Sequence, residues 1–436
     1  MTTSVTTIYE NRSRVIALLL LALFASSCKR SSATSTTAAP VPRVSAPISI
    51  SLADSNAAEP ALAVARDGSV YVAWVNHEPE RRADVTFARL AKDGHIEGAP
   101  VRVNPQAGTA TAWRGDPPTL AIAPDNTIFV GWTGRVESDE GHATNIYLSA
   151  SRDQGRTFAT PVKVNDDAKP SDHGLHSLAV GTNNRIYLAW LDDRNAPALP
   201  MDKKNSGKGH HMESNRELFM ASSNDGGQTF STNERAATDV CPCCKTALAV
   251  NAEGRVYVSW RQVLPGDFRH VAVSSTVDEG KHFTTPTIVS DDHWVLNGCP
   301  VSGPALSLLP DGEVQVLWYS AGQNGETGLY SATSKDHGAA FGPRLLVAGG
   351  ATQGSPVLIS GGNGFAAVWE GKVNNKAQVM SAALKENTRN DFAVVEGESP
   401  AAVNSGERSI IAYVSRDTPS GTIRVVSVRQ GDANAK

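Results

Sequence analysis

Seven times the chain repeats a short apolar strand that ends on an aromatic residue: VYVAW to Trp74, IFVGW to Trp132, IYLAW to Trp190, VYVSW to Trp260, VQVLW to Trp318, FAAVW to Trp369 and IIAY to Tyr413. The steps between the aromatics are 58, 58, 70, 58, 51 and 44 residues. A repeat of this length built from strands cannot bury its apolar face alone, so copies must stack on one another, and a radial array is the economical closed solution. Each period opens on a small apolar run such as PALAV or TALAV, turns at a Gly/Asp/Asn pair such as Asp67-Gly68, and then enters the Trp-ending strand. A third strand (NIYLSAS, HVAVSS) and a fourth (PVKV, PTIV) follow. Alternating runs with turn signals at this spacing describe a four-stranded antiparallel blade.

The expected fold is therefore all-β: a β-propeller of seven four-stranded antiparallel blades, or six if the last unit is degenerate. The seventh unit supplies three strands (PAAVN, SIIAYV, TIRVVSV) and stops, while Ala46–Leu52 has the pattern of the missing fourth. An N-terminal strand is thus expected to close the ring and remove the free sheet edge. The propeller is assigned to 47–430, with a polar tail at 431–436.

A second repeat lies between third and fourth strands. Ser151-Arg-Asp153-Gln-Gly155-Arg-Thr157-Phe158 and Ser223-Asn-Asp225-Gly-Gly227-Gln-Thr229-Phe230 are its clearest copies. Asp278 with Gly280, and Asp336 with Gly338, mark two looser ones. The pattern resembles the Asp box of the sialidase-like, or BNR-repeat, propellers. Turn chemistry accounts for every residue in it: Asp accepts backbone N–H groups, Gly takes positive φ and the aromatic packs. The boxes are read as structural.

The first residues read as an address. Arg12 and Arg14 precede the apolar stretch Val15 to Phe24, which is too short for a mature membrane span, and Ala25-Ser26-Ser27-Cys28 follows. This is similar to a bacterial lipoprotein signal. It implies a signal peptide at 1–27, lipidation of Cys28, and a flexible Ser/Thr/Ala/Pro tether over 28–46. Lys29 after the cysteine points to the outer membrane, facing the periplasm, with membrane attachment through the lipid only. A net charge of -4 and no basic run give no case for nucleic acid. A monomer is expected.

Cysteine use sets the chain apart. Cys241, Cys243 and Cys244 precede the first strand of unit four, and Cys299 precedes that of unit five. The equivalent loops before units three and two hold His173 and His176, and Arg114 and Asp116. Three readings of the cysteines stay open: structural disulfides of an oxidising compartment, a thiolate/imidazole site for copper or zinc, or a redox-active dithiol. His173 and His176 are metal-ligand candidates that could equally cap loop backbone. His210 and His211 stand in a long insertion rich in Lys, Gly and Ser.

Arg114, Arg194, Arg261 and Arg269 fall near the same rim, where guanidinium forks could clamp a carboxylate; interblade ion pairs are the alternative. The sialidase resemblance implies exo-sialidase-type glycoside hydrolysis, but the family's early Phe/Tyr-Arg-Ile-Pro motif is absent. Asp116 as acid/base and Tyr319 as nucleophile are the nearest catalytic candidates. The chain more closely resembles bacterial sialidase-like propellers that pair a Cys-x-Cys-Cys loop with the element seen here as Asp292-His293-Trp294…Cys299-Pro300…Gly303-Pro304. The expectation is a rim site that binds a metal ion, an anionic ligand or both. The partner would be an anionic small molecule, a glycan or an envelope protein, with a protein-interaction scaffold as the further alternative.

Overall fold

The computed structural model describes residues 42–136, 143–196, 215–296, 300–309, 311–361, 364–384, 391–417 and 420–429. The signal peptide, Cys28, the His210–His211 insertion, Cys299 and the polar tail lie outside the described residues. Val41–Lys436 forms one compact unit.

Every sheet is antiparallel, and one 3-10 turn at Pro79–Arg81 is the only helical element among the described residues. Among the described residues, hydrogen bonding gives four sheets of four strands, a five-stranded sheet that includes the N-terminal segment, and an eight-stranded sheet in which two four-stranded units merge. The first strands of the units are Ala57–Val64, Thr119–Ile122, His173–Val180, Ala247–Val250, Ala305–Leu308, Gln353–Gly361 and Glu398–Ser405. Each touches the next, and the seventh touches the first, so these strands close a ring. The all-β, four-stranded antiparallel organisation expected from the repeats is what the chain forms. Closure is by the N-terminus: Ile48 and Ser49 pair with Val425 and Arg424, and Arg43 and Val44 pair with Arg429 and Val428.

The repeated tryptophans sit in the second strands and fill the space between units; Trp74, Trp190, Trp260 and Trp318 are all fully buried. A buried indole N–H must find an acceptor. Three of them find it two residues on, where the side chain returns to the same face of the strand: Trp74 donates to Asn76, Trp190 to Asp192 and Trp260 to Gln262. Trp318 donates instead to Asp292, at 2.6 Å. That carboxylate is also paired with Arg344, and the backbone around it packs so tightly on Gly322 that a Cβ there would meet the Asp292 carbonyl at 1.9 Å. Asp292 therefore holds units together.

The Asp boxes are hairpin turns. Asp153 accepts from the hydroxyl of Ser151 and from the backbone and hydroxyl of Thr157, while Ser151 accepts from Gly155 N–H. Asp225 repeats this set on Ser223, Thr229 and Gly227. These donors hold both carboxyls down to about 2.

The sequence did not announce a recurring irregularity at the start of four first strands. Their register shifts between Ala58 and Ala61, Gly174 and Ser177, Gln353 and Val357, and Glu398 and Ala401. Within each bulge one residue has positive φ: Glu59, Leu175, Gly354 or Ser399. Bulges re-aim side chains and concentrate near functional rims. His173 and His176 therefore sit within a strand, His173 just before such a bulge and His176 inside it, and not in the preceding loop.

Candidate functional site

A cavity of about 1490 Å³ opens against units one to four. Its charged lining is Arg81, Arg82, Arg114, Arg135 and Arg216 with Asp116 and Asp172. Five guanidiniums against two carboxylates make a positive surface on a chain of net charge -4. Arg114 donates to Asn56 and Arg135 to the Arg81 carbonyl, and neither has an ion pair among the described residues. Arg216 is already paired with Asp193 at 3.1 Å. Trp113, 46% exposed, also lines the cavity, and its ring lies over Gly115, where a Cβ would meet it at 2.7 Å.

Asp116 is buried at the cavity wall. Its Oδ2 accepts from the Thr133 hydroxyl at 2.5 Å and its Oδ1 from Leu175 N–H at 3.0 Å, the amide freed by the unit-three bulge. Burial alone would raise the carboxyl; His176, Lys245 and Thr133 outweigh it and hold it below its ordinary value. An ionised carboxylate suits a base or a charge stabiliser and not a proton donor. His176 Nδ1 stands 3.6 Å from Asp116 Oδ1, close enough for charge interaction but beyond hydrogen-bond reach, and neither ring nitrogen has a hydrogen-bond partner among the described residues. Lys245, on the other side, is lowered to about 8 by burial, against the pull of Asp116.

His173 has a different environment. Its Nδ1 meets the Thr144 carbonyl at 2.5 Å, and its Nε2 lies 3.2 Å from Asp167 and 3.3 Å from Asp192. All of these are acceptors, so both nitrogens must donate and the ring is an imidazolium. Burial lowers it, but the two carboxylates dominate and raise it to about 9. No lone pair is left for a metal, which corrects its reading as a ligand candidate.

The arginines separate. Arg114 faces the cavity. Arg194 is bound by Asp192 and Asp166, donates to Asn233 and stacks on Phe219 at 4.2 Å, which is the ion-pair alternative. Arg261 and Arg269 lie within the strands Val256–Leu264 and Phe268–Thr276 and are buried. Arg261 donates to the carbonyls of Ser302 and Tyr319 and stacks on Trp294 at 4.9 Å. Tyr319 packs edge-on against Trp294, and burial raises its hydroxyl. Neither Tyr319 nor these two arginines lines the cavity.

The cysteines stand where unit three passes into unit four. The last strand of unit three ends by pairing Val240 with Gln262, and Cys241 N–H then donates to the Arg261 carbonyl at 2.9 Å. A turn over Pro242 brings Cys244 N–H back to the Cys241 carbonyl. The Cys244 thiol points at Cys241 Sγ, 3.4 Å away, and Cys243 Sγ is 3.9 Å from Cys241 Sγ. Cys241 and Cys244 are free and buried, whereas Cys243 is disulfide-bonded and reaches the cavity. The hydrogen bond from Cys244 lowers Cys241 to about 6 against burial, helped by Arg261; burial and the Cys241 sulfur push Cys244 well up. Gly303 packs on this segment, since a Cβ would meet the Lys245 carbonyl at 2.0 Å, so the Gly303-Pro304 element is explained by contact with the cysteine turn.

Sequence reasoning missed Arg81, Arg82, Arg135, Arg216 and Lys245. Arg135 was within reach, because it stands three residues after Trp132, close to the place that Arg194 takes four residues after Trp190.

No protein-family model matches the chain. No curated protein matches it either. Among solved structures, an ulvan lyase of a polysaccharide lyase family, bound to -[GlcA(1-4)Rha3S]-, superposes with TM-score 0.55 at 12% identity, over 87% of this chain and 95% of that one. A protein of unknown function from Dyadobacter fermentans DSM 18053 gives 0.51 at 15% identity, over 89% and 99%. Hadza microbial sialidase Hz136 gives 0.47 at 13% identity, over 82% and 75%. At these identities the likeness is one of fold: this chain is an all-β propeller with the fold of the ulvan lyase.

Proposed function

We propose that the cavity binds an acidic saccharide, one carrying uronate or sulfate groups, through Arg114 and Arg135 with Trp113 as a stacking face. The observation that carries this reading is the excess of guanidinium over carboxylate in a cavity of about 1490 Å³ that also exposes an indole. Guanidinium forks match carboxylate and sulfate oxygens, and an exposed aromatic ring offers an apolar plate to a sugar face. The ulvan lyase of the same fold holds a charged saccharide, which agrees with this class of ligand. If the site is catalytic, ionised Asp116 beside Lys245 is the pair placed to move a proton.

Calorimetric titration with uronate, sulfated and neutral oligosaccharides of equal length tests the reading. The acidic ligands should bind and the neutral one should not. Arg114→Ala and Arg135→Ala should each weaken binding by about tenfold, the worth of one charge-assisted contact. Equal binding of the neutral ligand, or unchanged affinity in both variants, would sink the proposal. Release of reducing ends or of unsaturated uronate then separates a hydrolase from a lyase. The lipid anchor at Cys28 would hold this site at the bacterial envelope, checked by the mass of the mature N-terminus.

A soft metal ion, copper or zinc, is the second reading, favoured because the sulfurs of Cys241, Cys243 and Cys244 all lie within 4.8 Å of one another. It applies only to a chain in which Cys243 is reduced, since a disulfide sulfur is a poor ligand. Metal analysis after mild reduction, compared with the untreated protein, decides it.

A further inference from the structure

A disulfide with two free thiols packed against it is an arrangement a purely structural bridge does not need. Cys243 carries the disulfide, and Cys241 and Cys244 lie within one side-chain movement of it, at 3.9 Å and 3.4 Å along the chain of sulfurs Cys243, Cys241, Cys244. Among the described cysteines only Cys243 lines the cavity; Cys241 and Cys244 are fully buried. The spacing Cys241-Pro242-Cys243-Cys244 also makes Cys241 and Cys244 a Cys-x-x-Cys pair. Their turn is held by the Cys241 N–H bond to Arg261 and the Cys244 N–H bond to Cys241.

We propose that this cluster is a thiol–disulfide exchange site in which the disulfide migrates inward from Cys243 to the Cys241–Cys244 pair and leaves a free thiol at the cavity wall. The first step is attack of the Cys241 thiolate on Cys243 Sγ. The Cys241–Cys243 bond forms, the original Cys243 bond breaks, and the departing sulfur takes the proton that Cys241 gave up. The second step is attack of Cys244, as thiolate, on Cys241 Sγ. The Cys241–Cys244 bond forms, the Cys241–Cys243 bond breaks, and Cys243 leaves as a thiolate that takes the Cys244 proton. One disulfide and two thiols enter and one disulfide and two thiols leave, so no oxidant or reductant is consumed. The sulfurs need to close to the bonded distance of about 2 Å from 3.9 Å in the first step and from 3.4 Å in the second, a rotamer adjustment within the turn. Arg261, locked by three backbone carbonyls, supplies a fixed positive charge beside the attacking sulfur. The exposed product, a Cys243 thiol in the cavity, is the group an external disulfide would meet.

Disulfide mapping of the intact native protein tests this. The protein is held at neutral pH without reductant and quenched with acid; free thiols are alkylated, bridged ones are then reduced and given a second label, and fragmentation reads each cysteine separately. In the wild type, about a tenth or more of the chains should show Cys241 and Cys244 bridged and Cys243 alkylated, since exchange between comparable disulfides is near balance. Cys244→Ser should stop the bridge at Cys241–Cys243, and Cys241→Ser should hold it at Cys243 alone. A wild type bridged only at Cys243 after prolonged incubation, matching Cys241→Ser, would overturn the proposal. The wild-type measurement needs no variant to fold, so it stands by itself.

Discussion

Among single residues, His173 has the clearest energetic consequence. It is buried as an imidazolium between Asp167 and Asp192, with its folded pKa raised from 6.5 to about 9. A group raised in the folded state stabilises fully below its unfolded pKa and loses that contribution as pH climbs through its folded one. The stabilisation is therefore present below pH 6.5 and gone above about 9. Asp167 and Asp192 are lowered, so their share is present above the ordinary carboxylate pKa and is lost on acidification. Together they set a plateau between about 4 and 6.5. His173→Gln should cost on the order of 3 kcal/mol on that plateau. Denaturant unfolding at several pH values should show wild-type stability falling between pH 6.5 and 9 and the variant's staying flat there; parallel curves would refute the assignment. Arg194 is held on the same carboxylate, Asp192, so Arg194→Ala should lower stability and leave saccharide binding unchanged.

At the level of the element, the box turns tie one unit to the next. Gly155 has φ +84°, and a Cβ there would meet the Phe87 ring of unit one at 2.0 Å, while Phe158 packs on the same ring edge-on at 5.1 Å. Gly254 has the same φ of +84° with nothing within 4 Å. Gly254→Ala should therefore cost only the backbone strain, about 1 kcal/mol, and Gly155→Ala that strain plus overpacking, about 3 kcal/mol in all. Denaturant midpoints for the two variants measure the difference directly, and equal losses would mean that Phe87 moves aside freely. Box turns and Trp strands were legible in the chain because local chemistry dictates them: an Asp between a Ser and a Gly, an aromatic at the end of a β-branched run. The bulges were not, since Glu59, Leu175 and Ser399 are residues that do not favour positive φ and adopt it only under the register of their neighbours. For the same reason the site was half legible. Asp116, Arg114 and the cysteine turn stood out as residue types in equivalent loops. Whether Arg261 faces the cavity or a ring of carbonyls depends on tertiary packing that spacing does not encode.

For the whole molecule, the closed ring of first strands decides how stability and site are coupled. The cavity draws on units one to four, and the sheet that carries unit seven is completed by the N-terminal segment, which abuts unit one. Ile50 is buried among Trp74, Val72, Ala412 and Val425, so its side chain joins the first unit to the last. Its N–H donates to the Ile423 carbonyl, and Ile423 N–H in turn donates to Ser51 Oγ. Replacing Ile50 with Asp should lose the transfer energy of the side chain and leave a buried carboxylate unpaired, a cost of roughly 3 kcal/mol or more. The damage should spread beyond that, because strand Thr422–Arg429 would be left as an unpaired edge that invites association with other chains. Size-exclusion chromatography with denaturant unfolding should show a lower midpoint together with concentration-dependent oligomers. Ile50→Val keeps the apolar contact and the backbone bonds, so it should stay monomeric and lose only about 1 kcal/mol. If Ile50→Asp were monomeric and as stable as the wild type, closure by the N-terminal strand would not be what holds the ring, and saccharide binding in the cavity should then be indifferent to it as well. If closure does hold the ring, the same variant should weaken acidic-saccharide binding without touching any residue that lines the cavity, because Trp113 and Arg114 sit on unit two, whose neighbour is the unit released.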